Sequence, residues 1–346
     1  MTTACRILNP LAQAQWDDQL AAAGNHGFFH TSSWARVLAD TYGFRPCYYT
    51  LGDGQDMAIL ALMDVRSALT GRRAVSLPFT DAAPIFSRTP ETARELLSRA
   101  LADGPANGWR YIELRGGEPL VEGMTPSLSY WTHDVDLAGR SEQQLFDALD
   151  ESMGRGVRKA SKAGLRVQVD SEPGSIEHFY HLNCITRREH GLPPQPLAFF
   201  RNVQRHVLST GRGRVVLAFE GAQAVAGAVL FHFGERAVFK YGASSARGQD
   251  LRGNNLVMWE AIRWSAIQGF RELQLGRTNL EHEGLRRFKL NLGSREALLH
   301  YYKYDFCGAT FVQDKDKLTG WHNRVFRMLP IPVGRAVGAV MYRHVA

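Results

Sequence analysis

The chain has 346 residues and only four cysteines, Cys5, Cys47, Cys184 and Cys307, which stand far apart with no CxxC pair. That spacing excludes a zinc ribbon or a disulfide framework and leaves four small core hydrophobes as the reading. His178 and His181 share a helical face in "HFYH" without a metal-ligand cluster around them, so no structural metal is expected. No apolar run approaches membrane-spanning length. The start, "MTTACRILNPLAQAQWDDQL", lacks the charged-then-apolar pattern of a secretion signal, and a cytoplasmic location is expected. There is no G-x-S-x-G elbow and no cysteine in a catalytic signature, which excludes the common nucleophile arrangements. A heptad run is also missing. What remains is 45% hydrophobic and 22% charged, the composition of a folded globular protein. Its length suggests two domains of ordinary size. The net charge of +7 points to an anionic partner: phosphates, nucleic acid or an acidic membrane surface.

The second half has the clearest pattern. "RVVLAF", "QAVAGAVLFHF" and "RAVFKYGAS", separated by "EGA" and "GE", predict a three-strand antiparallel meander. In "NNLVMWEAIRWSAIQG" the period changes, with Leu256, Trp259, Ile262 and Ala266 at helical spacing, Asn254 to cap and Gly269 to stop. "FRELQL" is a strand, a short helix is expected over 283 to 291, and "ALLHYYKYDF" is a last strand. A short strand, "LRVQV", and helices over 174 to 190 and 196 to 210 precede the meander.

The first half repeats the plan. "CRIL" is followed by helical segments near 10 to 22 and 31 to 41, then by a meander of "PCYYTL", "MAILALMDV" and "RRAVSLP". The helix "ETARELLSRALADG" and the strands "WRYIEL" and "LSYWTHDVDL" complete it. Both halves thus run β, α, α, β, β, β, α, β, β, and two copies of one α/β unit is the economical reading. The expected boundaries are 1–140 and 166–315, joined by a basic helical linker over 141–165 and followed by a helical tail over 316–346.

This element order is that of the GNAT acyltransferase fold, and its duplication resembles the Fem family. "FHTSSWARVLADTYGF" looks like the Fem-type opening segment, and "RGVRKASKAGLRV" resembles the basic helix between Fem domains. "YGAS…NNLVMWEAIRWSAIQGFRELQLGRT…GLRRFKLNLG" resembles the end of the second Fem domain. The similarity spans essentially the whole chain. It is greatest to FemAB-related proteins of Gram-negative bacteria, of the type associated with exopolysaccharide and PEP-CTERM systems. The implied fold is α/β of the α+β type: tandem GNAT-like domains, each a mixed, mainly antiparallel sheet flanked by helices. The implied activity is transfer of an acyl or aminoacyl group to an amine of a peptidoglycan or exopolysaccharide precursor. Acyl-CoA or aminoacyl-tRNA would serve as donor, with no permanently bound cofactor. Two departures stand out. The chain lacks the coiled-coil arm of several Fem enzymes, and Arg36 stands near the place of their phosphate-holding lysine. The second departure argues against a UDP-linked muropeptide.

The chemistry centres on Lys289, which follows Phe288 in "GRTNLEHEGLRRFKLNLGS", where Leu285, Phe288 and Leu292 look buried. A lysine is rarely buried unless paired. By its residues alone, Lys289 reads as a side chain with its stem on Phe288 and its ammonium in water. By resemblance, its ammonium faces the reacting acyl group, where it would stabilise the carbonyl oxygen during aminolysis. In that case it belongs at the mouth of a cleft near Tyr241 and Arg277, with Phe288 turned into the core. Residues expected to hold a donor's phosphates are Arg247, Arg252, Gly253 and Asn254 after the meander, with Arg158 and Lys159 in the basic helix. A turn before a capped helix and a solvated charged face are the plainer readings of these two stretches. Arg187 and Arg188, in "TRREHGLPPQPLAFF", either bind an acidic acceptor or complement a helix C-terminus. Trp34 is assigned to the first core.

The basic and apolar tail, "FRMLPIPVGRAVGAVMYRHVA", either packs on the second domain or touches the inner membrane peripherally. The expected protein is a monomer or weak dimer. From a different functional class, a non-catalytic GNAT-fold binding protein for polysaccharide assembly also fits.

Overall fold

The computed structural model describes residues 4–24, 27–314 and 321–345. In chain order its elements begin with β1 (Arg6–Leu8), α1 (Trp16–Ala23), α2 (Ser32–Tyr42), β2 (Arg45–Leu51), β3 (Ala58–Ser67), β4 (Gly71–Val75), α3 (Pro90–Asp103), β5 (Tyr111–Arg115) and β6 (Leu128–Asp136). Next come α4 (Glu142–Asp147), α5 (Glu151–Lys162), β7 (Arg166–Asp170), α6 (Pro173–Glu189), α7 (Leu197–Val203), β8 (Gly213–Glu220), β9 (Gln223–Phe233) and β10 (Arg236–Ser244). The series ends with α8 (Ala246–Asp250), α9 (Gly253–Ile267), β11 (Glu272–Asn279), α10 (Glu283–Leu290), β12 (Arg295–Asp305), β13 (Thr310–Phe311), α11 (Trp321–Met328) and α12 (Ile331–Met341). The expected element order is observed, as mixed sheets flanked by helices. Among the described residues no helix is long and apolar enough to cross a membrane.

Two compact units form. The first comprises Met1–Tyr130, Leu298–Lys317 and Met341–Ala346, and the second Trp131–Ala297 and Leu318–Val340. In the first, the sheet runs β1-β2-β3-β4-β5-β12. The meander is antiparallel, and β4 pairs parallel to β5 only over Ala74 and Val75. Thr31 caps α2 by accepting from the Trp34 N–H, and Gly43, at φ 73°, ends it. Trp34 is fully buried, as expected of a core residue.

In the second unit the order is β6-β11-β10-β9-β8-β7. The strands β8, β9 and β10 form the antiparallel meander. Their core holds Val216, Ala228 and Leu230 against Leu256, Trp259 and Ile262 of α9.

Two expectations are corrected. The strands ending the two halves close the sheets differently from their sequence order: β12 pairs with β5, and Tyr302 joins the core of Leu96, Leu97 and Ile112. Likewise Val135 of β6 joins the core of the second unit. The residues 141–165 are not a single linking helix. They form α4 and α5, whose Leu145, Leu149, Met153, Val157 and Ala160 enter that same core. Residues 316–320 and 346 of the expected tail lie outside the described residues.

Candidate active site

The strands β10 and β11 pair in parallel over Arg236–Val238 and Glu272–Gln274 and nowhere beyond. Past that point β10 carries an irregularity between Phe239 and Tyr241. On β11, Gly276 adopts φ 70°, a left-handed conformation that favours glycine. Consecutive carbonyls of a regular strand point to opposite sides. The kink at Gly276 lets two of them converge.

Lys289 occupies that point of convergence. It sits in the last turn of α10, a helix opened by His282, whose Nδ1 accepts from the Leu285 N–H at 3.2 Å. Its Nζ donates to the Gly276 carbonyl at 2.8 Å and to the Arg277 carbonyl at 3.0 Å. The residue is 4% exposed, so its ammonium does not reach into water as the plainer reading required. The facing of α10 also differs from expectation. Leu285 is 37% exposed, Phe288 is only partly buried against the core, and Lys289 is the buried residue of the helix. The two β11 carbonyls supply the acceptors without which burial of this cation would cost several kcal/mol.

β6 places two titratable side chains in this region. His133 is fully buried, and neither ring nitrogen has a hydrogen-bond partner among the described residues. Its Nε2 lies 3.7 Å from Oε2 of Glu296, which Arg286 holds with bonds of 2.8 and 2.6 Å while stacking on Trp131. Burial, aided by the Lys289 and Arg286 charges and opposed by Glu296, pushes His133 down to about 4. Asp134, the next residue, points to the other face of the strand. Burial and then Glu272 push it up to about 6, against Arg236 and a hydrogen bond from Gln274. Its Oδ1 has no partner among the described residues.

Of the other expected substrate-binding residues, Tyr241 follows the irregularity in β10 and packs edge-on to Phe199 and tilted on Phe200. Arg277 offers its carbonyl to Lys289. Arg187 donates through Nε to the Pro193 carbonyl at 3.3 Å, and Arg188 is exposed at the end of α6.

The expected anion-binding residues separate. Arg247 is held by Glu220, and Arg158 lies over the Phe146 ring at 5.1 Å. Asn254 donates to Ser244 Oγ at 3.1 Å. Gly253 opens α9, and its closeness to Ala226 leaves little room for a side chain. Lys159 and Arg252 do come together. They line a cavity of about 510 Å³ with Arg155 and Arg287, the polar ends of Ser152, Asn255 and Asn291, and Phe288. Arg155 pairs with Glu151, whereas Lys159, Arg252 and Arg287 form no ion pair among the described residues. Arg252 reaches this place from a left-handed N-cap at φ 61°. Gly156 permits the close passage of α5 over α9, since a Cβ there would lie 2.6 Å from Asn255 Nδ2. A cavity lined by cations from α5, α10 and the start of α9 can hold phosphate groups.

Arg155 shares a helix turn with Lys159 in the basic helix read from the sequence, whereas Arg287, His133 and Asp134 were not expected in the site. "YWTHDVD" carries a strand signal only, and nothing in it marks which helix will cover its face.

Residues 150–290 match the family model described as an acetyltransferase (GNAT) domain. No curated protein sequence matches the chain. Among solved structures, the crystal structure of FemX aligns over 88% of this chain and 97% of its own, at 14% identity and a TM-score of 0.67. The C-terminal domain of a putative lysylphosphatidylglycerol synthetase from Agrobacterium fabrum aligns over 83% and 89%, at 12% identity and 0.55. A tandem GNAT protein from the clavulanic acid pathway aligns over 87% and 98%, at 12% identity and 0.54. The chain therefore has a tandem GNAT-type fold, and residues 150–290 of its second unit match the GNAT acetyltransferase domain model.

Proposed function

We propose that the protein transfers an acyl or aminoacyl group to an amine of a cell-envelope precursor, of the peptidoglycan or exopolysaccharide type. The observation that carries this reading is the buried ammonium of Lys289, held by the Gly276 and Arg277 carbonyls where β11 leaves β10. The acceptor nitrogen attacks the acyl carbon, the bond from that carbon to the donor's sulfur or ribose oxygen breaks, and the amine loses a proton. Negative charge gathers on the acyl oxygen meanwhile. A fixed positive charge out of bulk water stabilises it, at about a hundredfold or more in rate for one such group. Asp134, pushed up to about 6, would take the amine proton from an acceptor entering on its own face of β6, opposite His133.

The donor is acyl-CoA or an aminoacyl-tRNA, and its phosphates would meet Lys159, Arg252 and Arg287 in the basic cavity. The neighbours named for FemX and for a lysylphosphatidylglycerol synthetase favour aminoacyl transfer to an envelope component. Tyr241, with Phe199 and Phe200 beside it, would flank the acceptor, and Arg187 and Arg188 would meet an acidic one. Calorimetric titration with CoA and with uncharged tRNA tests the donor assignment. Binding of one, lost in Lys159→Gln/Arg287→Gln, identifies it, and failure of both rejects the cavity as the donor site.

One observation favours the second reading, a non-catalytic binding protein in polysaccharide assembly. Two backbone carbonyls already engage Lys289, so its charge also has a structural use. A wild-type protein that binds a donor and never turns it over would establish that reading.

A further inference from the structure

The helix α12 is turned against its own composition. Its small residues face the protein: Gly338 is buried so closely that a Cβ there would lie 2.0 Å from the Pro194 carbonyl oxygen, and Gly334 lies over the same proline. Arg335, on the same side, covers the Tyr180 ring at 5.3 Å. The larger aliphatic residues face away. Val333 and Val340 are 44% and 63% exposed, with the exposed Ala336 between them at helical spacing. In α11, Val325 and Met328 are likewise exposed, Met328 by 84%. Among the described residues, six of the twelve exposed large hydrophobics fall within 325–345. A helix that docks through glycines and shows valines outward leaves its apolar stripe for another surface.

Charge identifies that surface. Residues 321–346 contain Arg324, Arg327, Arg335 and Arg343 and no aspartate or glutamate. An apolar stripe on a segment whose own charges are all cationic complements an anionic lipid surface, with valines at the acyl boundary and the exposed guanidinium groups of Arg324 and Arg327 among phosphates. Symmetric pairing with a second copy would bring like charges together and is disfavoured.

We propose that the valine face of α12, with Val325 and Met328 of α11, seats this protein in the interface of an anionic phospholipid membrane. The proposal adds to the function above the place where the acceptor is met. It rests on that reading only for this purpose, because lipid binding is read without any turnover.

The test is flotation of the full chain with vesicles of phosphatidylcholine, with and without about one quarter phosphatidylglycerol. The protein is expected to float with the anionic vesicles and to be released as salt is raised. Val333→Ser/Val340→Ser should weaken this partition by about tenfold or more, as should Arg324→Gln/Arg327→Gln. All four side chains lie outside the core, so melting temperatures should match wild type. Failure of the wild type to float, or undiminished flotation of the valine variant, overturns the proposal. So does a concentration-dependent dimer that the valine substitutions abolish, which would make a second copy the occupant.

Discussion

His133 and Asp134 are neighbours on β6 with opposed proton linkages. In an unfolded chain a histidine titrates near 6.5 and an aspartate near 3.9. Folding pushes His133 down to about 4, so the folded chain binds fewer protons there, and stability is lost as pH falls from about 6.5 to 4. Folding pushes Asp134 up to about 6, so its contribution is present below about 4 and lost as pH rises to about 6. Each shift amounts to about 3 kcal/mol, and the two nearly cancel in the wild type. Substitution removes one arm at a time. The stability difference from wild type should rise by about 3 kcal/mol for Asp134→Asn as pH goes from about 4 to 6.5. For His133→Gln it should be about 3 kcal/mol in the variant's favour near pH 4 and vanish by about 6.5, leaving aside lost packing. Equilibrium urea denaturation at stepped pH reads both differences, and the linkages of carboxylates remote from β6 cancel in the subtraction. Variants whose stability runs parallel to wild type across this range would show that neither group is shifted by its surroundings, refuting the electrostatic description of the site.

Three further outcomes are expected. Gly276→Ala should cost about 1 kcal/mol or more in thermal unfolding, since φ 70° strains any side chain and the carbonyls facing Lys289 would move. Gly269→Ala, at φ 81° with open space around it, separates the strain from the loss of Lys289 contacts. In calorimetric titration with CoA, Lys159→Gln and Arg287→Gln should each weaken binding by about tenfold and flatten its salt dependence. Gly338→Leu should lift α12 from Pro194, read as faster amide exchange across Ile331–Met341 with little change in β8 to β10.

The fold was legible where side-chain periodicity decides it. The meanders and α9 follow from patterns set by one buried face. Strand partners were not legible, because the pattern of "LSYWTHDVDL" or "ALLHYYKYDF" specifies a half-buried strand and not its neighbour. For the same reason α5 read as a linker, although Met153, Val157 and Ala160 are core residues. Lys289 was legible as unusual, but its burial was not. The sequence pattern of α10 favours Leu285 and Phe288 as the inner face, and a backbone kink on another element reverses that choice. The basic cavity was half legible: Lys159 and Arg252 stood in recognisable basic or glycine-rich stretches, whereas Arg287 joins them only through the approach of α10 to α5 and α9.

In the proposed reaction the charge of Lys289 acts on the reacting acyl group. Single-turnover transfer to an amine acceptor, with acyl-CoA or charged tRNA as donor, measures this directly in wild type and in Lys289→Met, a variant that keeps the stem and removes the charge. Unchanged donor affinity and a transfer rate about a hundredfold lower are expected in the variant. A variant that transfers at the wild-type rate, or a wild type that transfers from neither donor, would contradict this role of Lys289.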